Sequence, residues 1–199
     1  MTPDAIRHAL ERGLPIADAS FDAIYPHELR GHSELHWTPI AIARRAAALF
    51  ELGPGHRVLD VGCSVGKACL VGALASGATW WGVDRDPALI EVATETARTL
   101  GVYATRFLCG DANTLDWSQF DGLYFYNPFP PRPESHPNAF VRYSQFVQGV
   151  EGAELQLPTL RPGARVVTYH GFGGDMPAGF ELCAREPAGN DELQLWVRT

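Results

Sequence analysis

Short apolar runs of strand length alternate with longer segments of helical composition along the chain. The runs predict five strands, at residues 57–61, 79–83, 104–108, 123–126 and 165–169. Their apolar residues occupy both faces, as in a parallel sheet that helices cover on both sides. Segments 40–52, 67–76 and 86–101 predict helices between or before these strands, and this alternation implies right-handed crossovers.

The pattern changes at the end of the chain. Residues 180–185 and 192–198 predict two further strands, joined by a linker too short for a parallel crossover, so they form an antiparallel hairpin. The predicted fold class is α/β: a Rossmann-like three-layer sandwich with a mostly parallel seven-stranded sheet and a C-terminal antiparallel hairpin. Residues 2–12 predict a helix, and loop-like sequence follows up to residue 37.

Composition and net charge restrict the kinds of substrate and macromolecule that the chain is expected to bind. The 199 residues suffice for one domain, and 46% of them are hydrophobic, so the chain can bury a sizeable core. The net charge of −7 disfavours binding to duplex nucleic acid, which requires a clustered basic surface. We expect a small-molecule or protein substrate; the charge does not exclude an RNA end, and the sequence does not define an oligomeric state.

The cysteines and the N-terminus indicate the compartment. The four cysteines form no CxxC pair and no His cluster has zinc-ligand spacing, so we expect no metal. Free thiols of this kind suit a reducing cytosol. The N-terminal residues include no apolar signal-peptide region, and no run is long enough to span a membrane. The sequence predicts a cytoplasmic protein with no membrane partner.

A glycine-containing loop follows the first predicted strand. Gly62 and Gly66 allow the backbone to approach a ligand, and the next helix presents its amides to it. The loop has Ser64 between them, so it does not fit the G-x-G-x-x-G spacing of dinucleotide-binding proteins. Asp60 precedes the loop, and a negative side chain there suits a cationic or ammonium-bearing ligand.

Acidic residues also follow the second and third strands. Asp84 is placed to accept hydrogen bonds from both hydroxyls of a ribose, whereas Asp86 is better explained as the cap of the next helix. Asp111 follows the third strand in the sequence Cys-Gly-Asp-Ala. These acids are expected in the crevice at the switch point of the sheet.

Residues 58–67 resemble motif I of the class I S-adenosylmethionine-dependent methyltransferases, (D/E)xGxGxG, with Ser64 in place of the middle glycine. Residues 109–112 resemble the family's GDA pattern, in which the Asp contacts the adenine amino group, and the family also has an acid where Asp84 stands. The resemblance implies S-adenosylmethionine as cofactor, S-adenosylhomocysteine as product, and no metal. The implied cofactor-binding residues are Thr38, Asp60, Gly62, Cys63, Ser64, Gly66, Asp84, Arg85, Asp111, Ala112 and Asn127.

Residues 126–129 resemble a variant of the (D/N/S)PP(Y/F) motif of amino-group methyltransferases, with one proline instead of two. The resemblance implies that Asn127 is catalytic and aims the lone pair of a substrate nitrogen at the methyl group. Because methyl transfer is an in-line displacement, positioning can supply much of the rate. Asn127 before Pro128 is also an ordinary turn dipeptide, and this interpretation stays open.

Other candidate residues have structural alternatives. Thr38 resembles residues that lie over the cofactor in protein isoaspartate methyltransferases, but with Pro39 it also fits a helix start. His170, after the fifth strand, is either a general base or a structural or exposed histidine. Asp111 could instead cap the turn at 113–114, and the acid at position 60 could form a strand-end turn.

The sequence as a whole predicts an S-adenosylmethionine-dependent methyltransferase domain at 38–199, with a slight preference for a nitrogen acceptor. Segments 1–37, 128–137 and 171–179 flank the carboxyl ends of the strands and are expected to select the substrate. A non-catalytic S-adenosylmethionine-binding or scaffold protein is the main alternative. An NAD(P)-dependent oxidoreductase is disfavoured by the loop spacing and by the single lysine, Lys67. Aminopropyl transfer is disfavoured because no acidic pair follows the fourth strand.

Overall fold

The computed structural model describes residues 1–129 and 137–199. The strands are β1 Arg57–Val61, β2 Thr79–Asp84, β3 Thr105–Cys109, β4 Gly122–Tyr126, β5 Arg165–Tyr169, β6 Phe180–Ala188 and β7 Asp191–Arg198. They form one sheet in the order β3-β2-β1-β4-β5-β7-β6. Strands β1 to β5 pair in parallel, and β7 runs antiparallel to both β5 and β6. The predicted fold class is confirmed.

Helices cover both faces of this sheet. They are α1 Pro3–Glu11, α2 Asp18–Asp22, α3 Ser33–His36, α4 Ile40–Phe50, α5 Lys67–Ser76, α6 Pro87–Leu100 and α7 Ala139–Gln156. Short 3-10 helices lie at His27–His32, Ala112–Thr114, Trp117–Gln119 and Leu157–Thr159. In the described part of the chain, no helix has both the length and the apolar character needed to cross a membrane.

Two apolar cores lie on opposite faces of the sheet, and neighbouring residues of β4 contribute to different ones. Tyr124 packs edge-on against Trp80, with ring centroids 6.3 Å apart, in the core shared with α4 and α5. Phe125 packs against Trp117 at 5.8 Å in the core shared with α7. Burial on both faces explains why the parallel strands are continuously apolar.

Two parts of the chain differ from the prediction. Helix α7 was not predicted, because Gly149 and Gly152 lower its helical propensity and interrupt its apolar pattern. The loop expected before residue 37 instead contains α2, α3 and a 3-10 helix.

The predicted helix over 40–52 is present as α4, but the predicted capping role of Thr38 was wrong. The helix begins at Ile40 with Pro39 as its N-cap residue and no side-chain cap from Thr38. The Ile40 N–H donates to Asp18 Oδ1 at 2.9 Å, so α2 supplies the acceptor that an N-terminal cap would provide. The cap of α6 at Asp86 is as predicted, since its carboxylate accepts the Ala88 N–H at 2.9 Å.

Candidate functional site

A cavity of about 500 Å³ opens at the carboxyl ends of β1 to β4. Its volume falls within the roughly 300–1,000 Å³ typical of small-molecule sites. Its floor, from segments that end or follow these strands, is formed by Val61, Gly62, Ser64, Val83, Asp84, Arg85, Asp86, Leu89, Gly110, Asp111, Ala112, Pro128 and Phe129. Its roof, from the N-terminal segment and α7, is formed by Leu29, His32, His36, Trp37, Arg142, Gln145 and Phe146.

The loop after β1 touches the loop after β4 at Gly62. This glycine has a φ of 76°, and a Cβ added to it would lie 3.1 Å from the Cβ of Pro128. Both the left-handed backbone and the close approach therefore require glycine. Ser64 is also left-handed, with a φ of 50°, in the position where the family motif has its middle glycine.

Two backbone hydrogen bonds hold the carboxylate of Asp84 in place on the cavity floor. Its Oδ2 accepts the Ser64 N–H and its Oδ1 accepts the Asp86 N–H, both at 3.0 Å. The side chain is buried but lines the cavity. Because each carboxylate oxygen has two lone pairs, each retains one for a ligand donor. The carboxylate is thus held rigidly and can accept hydrogen bonds from two neighbouring hydroxyls.

Asp60 lies beneath the glycine loop and does not line the cavity. It is 4% exposed and accepts a hydrogen bond from the Cys69 thiol at 3.3 Å. Burial raises the pKa of Asp60 to about 7; the Cys69 hydrogen bond lowers it and the charge of Asp84 raises it further. Asp60 is thus not among the residues that line the cavity, and its contact with a ligand stays a prediction.

Arg85 and Asp111 form an ion pair on the cavity floor. The Arg85 Nη2 lies 2.7 Å from Asp111 Oδ2, and both side chains are partly exposed. Asp111 Oδ1 accepts the Asn113 N–H at 3.0 Å, so the capping role considered from the sequence is present. Ala112 lies beside this pair in the cavity lining, and its carbonyl accepts the Trp117 indole N–H at 2.9 Å.

The two candidate catalytic residues meet at the same edge of the sheet but outside the cavity lining. Asn127 has a φ of 38° and an exposed side chain, and its N–H donates to the Gly171 carbonyl at 2.9 Å. His170 has a φ of 58°, and its Nδ1 lies 2.5 Å from Asp191 Oδ2. Its ring stacks on Tyr126, with centroids 5.4 Å apart.

Of the predicted cofactor-binding residues, six line the cavity: Gly62, Ser64, Asp84, Arg85, Asp111 and Ala112. Four others lie behind the lining: Thr38, Asp60, Cys63 and Gly66. The Thr38 hydroxyl lies 3.2 Å from the Tyr124 hydroxyl in the core.

Segment 1–37 supplies part of the roof, and its role in selecting the substrate stays a prediction. In the expected substrate loop 128–137, residues 130–136 lie outside the described residues. No residue of 171–179 lines the cavity. Among described residues, no group of three His, Cys, Asp or Glu side chains could hold a metal ion.

The sequence interpretation missed the roof residues and the ion cluster that holds part of the roof. Lys67 Nζ lies 2.6 Å from Asp18 Oδ1 and 2.7 Å from Asp22 Oδ1 while only 2% exposed. The Ser33 hydroxyl donates to Asp22 Oδ2 at 2.5 Å. These contacts fasten the N-terminal segment to the start of α5. The only lysine of the chain, directly after a glycine loop, was the available signal.

The α7 part of the roof had a weaker signal in the sequence. Phe146, Val150, Ala153 and Leu157 recur at helical spacing and belong to, or pack against, one core.

Comparisons with known proteins give one matching family model and several solved structures with a similar fold. Residues 58–146 match the family model described as "Methyltransferase domain". No curated protein matches the chain in sequence. A methyltransferase from Geobacter sulfurreducens has a TM-score of 0.66 at 17% identity, and the alignment covers 98% of this chain and 97% of that one.

Two further solved structures share the fold. An RNA methyltransferase from Salinibacter ruber in complex with S-adenosyl-L-homocysteine has a TM-score of 0.57 at 23% identity, covering 81% of this chain and 92% of that one. TrmN from Thermus thermophilus has a TM-score of 0.61 at 23% identity, covering 81% of this chain. The chain spans 49% of the TrmN length.

Proposed function

We propose that this chain, whose residues 58–146 match the family model described as "Methyltransferase domain" and which has a class I, Rossmann-like fold, is an S-adenosylmethionine-dependent methyltransferase. The observation that carries the proposal is Asp84, a buried carboxylate that two backbone N–H groups hold at the cavity floor. Such a carboxylate suits the two hydroxyls of a ribose. The fold shared with the S. ruber enzyme, which was solved with S-adenosylhomocysteine, is consistent with this assignment.

The remaining floor residues fit the other parts of the cofactor. The backbone of Gly62 and Ser64 approaches the methionine part, and the absence of a Cβ on Gly62 allows Pro128 to pack closely against this loop. Asp111 and Ala112 face the adenine, with Asp111 sharing its carboxylate between Arg85 and the adenine amino group. Asp60 lies behind the cavity lining, where it accepts a hydrogen bond from the Cys69 thiol of α5.

The cofactor, when bound, supplies an electrophilic methyl group on a sulfonium. The protein then has to orient the acceptor and receive its proton, and Asn127 and His170 lie at the sheet edge where this could occur. Asp191 fixes His170 Nδ1 as the donor, which leaves Nε2 to accept a proton. Because neither residue lines the cavity, the acceptor has to extend past Pro128 to reach them.

We propose a nitrogen acceptor on a small molecule or a protein side chain, in the cytoplasm and without a metal. The partial match at 126–129 favours nitrogen. The second candidate function is a non-catalytic S-adenosylmethionine-binding protein, which is favoured by the position of Asn127 and His170 outside the cavity lining.

Calorimetric titration with S-adenosylmethionine, S-adenosylhomocysteine and NAD tests the cofactor. We expect micromolar binding of the first two compounds and none of NAD. Asp84→Asn should weaken binding at least about tenfold, because one amide NH₂ would face a backbone N–H and an acceptor would be lost. The matched control is Asp116→Asn, an exposed cap of a 3-10 helix, which should leave affinity unchanged. Binding of NAD alone would contradict the proposal.

Transfer of a labelled methyl group to a panel of amines and proteins separates the enzyme from the binding protein. Tight cofactor binding with no transfer to any acceptor would support the non-catalytic alternative.

A further inference from the structure

The floor and roof of the cavity differ in charge. The floor contains the carboxylates of Asp84, Asp86 and Asp111. Among the described roof residues none is acidic, and the polar groups are His32, His36, Arg142 and Gln145, each able to donate hydrogen bonds. The floor also carries Arg85, which pairs with Asp111, so its carboxylates outnumber its cation, whereas the roof carries Arg142 and no described carboxylate. Such a cavity can hold two different ligands, one against each surface.

The roof donors come from two separate parts of the chain that line the same cavity, the N-terminal segment and α7. The rings of His32 and His36 lie 5.7 Å apart, so the N-terminal segment presents two imidazoles together. Arg142 and Gln145 lie on neighbouring turns of α7. The Arg142 Nη1 donates to the Pro137 carbonyl at 3.2 Å, and a guanidinium carries five N–H donors in a planar fork suited to carboxylate and phosphate.

Two further features make this roof an organised surface. The cluster of Lys67 with Asp18 and Asp22 fixes the N-terminal segment that bears the two histidines. Apolar Leu29 and Phe146 lie among the donors. In a chain of net charge −7, Arg142 thus adds a positive charge to the lining of this cavity.

We propose that the methyl acceptor carries an anionic group, a carboxylate or a phosphate, on a compact apolar body, and that the roof binds it. Arg142 and the two histidines hold the anion, while Leu29 and Phe146 contact the apolar part. The inference rests on the proposed function, since it assigns the floor to the cofactor and the roof to the acceptor. A cationic acceptor would instead need a roof carboxylate, and the described roof residues include none.

The test uses simple probes on protein saturated with S-adenosylhomocysteine. Benzoate and phenyl phosphate represent the two anion sources, and benzylamine and benzyl alcohol are the cationic and neutral controls, all titrated by NMR chemical-shift perturbation. At least one anion should bind about tenfold tighter than benzylamine, and Arg142→Gln should remove about tenfold of that affinity. The charge-matched control is Arg98→Gln, an exposed cation of α6 that should have no effect.

Several results would overturn the inference. Benzylamine could bind as well as the anions, or Arg98→Gln could match the effect of Arg142→Gln, which would indicate general electrostatics. A large loss of S-adenosylhomocysteine affinity in Arg142→Gln would assign the roof charge to the cofactor. If S-adenosylhomocysteine does not bind the unaltered protein, the proposed function fails. The same NMR titrations of the anionic, cationic and neutral probes on the free protein then test whether the roof binds an anion.

Discussion

Replacement of Lys67 by methionine removes the cation that joins the N-terminal segment to α5. The methionine side chain keeps most of the apolar packing of the lysine stem, so the change isolates the charge. In the native structure the ammonium is 2% exposed and lies 2.6 Å and 2.7 Å from the carboxylates of Asp18 and Asp22. After the substitution the buried carboxylate of Asp22 has lost its compensating charge.

The expected loss of stability is about 3 kcal/mol. Breaking a buried ion pair by removing one partner costs roughly 3–5 kcal/mol. The lower end applies here because Asp18 is 43% exposed and can be rehydrated, and because Ser33 still donates to Asp22. A cation at the start of α5 is also disfavoured by the helix dipole, which offsets a few tenths of a kcal/mol.

Urea unfolding of Lys67→Met measures this loss, with Arg7→Met as the control for an exposed ion pair. The control should lose less than about 1 kcal/mol. In the double variant Lys67→Met/Asp22→Asn, part of the loss should be recovered, giving a coupling energy of about 2 kcal/mol. A loss below about 1 kcal/mol for Lys67→Met, or no coupling, would refute the reasoning.

Three further outcomes are expected. Because the pKa of Asp60 in the folded protein, about 7, lies above its ordinary value of 3.8, ionisation penalises the folded state. The stability of the wild type relative to Asp60→Asn should therefore fall between about pH 4 and pH 7, by up to about 4 kcal/mol, and then level off; a flat difference in urea unfolding would contradict this. Gly62→Ala should destabilise the fold by about 1–2 kcal/mol and weaken S-adenosylhomocysteine binding, as calorimetry would detect. Trp117→Phe should cost about 1 kcal/mol in thermal unfolding, because the Ala112 carbonyl loses its indole donor; unchanged stability would argue against that bond.

The sequence predicted secondary structure best where one pattern of apolar residues extends over a whole element. The apolar runs predicted β1 to β5 to within about a residue or two at each end, and the short linker predicted the antiparallel pair. The segments that carry the family resemblance, residues 58–67 and 109–112, both lie within the range 58–146 that matches the methyltransferase-domain model. Helix α7 was not predicted, because Gly149 and Gly152 interrupt its pattern of apolar residues. Tertiary packing on the sheet stabilises this helix.

Only part of the site could be predicted, because the sequence at the end of an apolar strand does not show on which face of the sheet a side chain lies. Leu59 and Val61 belong to one core and Val58 to the other, so Asp60 alternates onto the face covered by α5. An apolar strand gives no sequence signal for that choice. The roof depends on long-range contacts such as Lys67 with Asp22, which no local pattern encodes.

A crystal structure of the protein with S-adenosylhomocysteine tests the central claim most directly. The account predicts the nucleoside against the cavity floor, with both ribose hydroxyls within about 3 Å of the Asp84 carboxylate oxygens. A nucleoside bound elsewhere, or a ribose that does not contact Asp84, would contradict it.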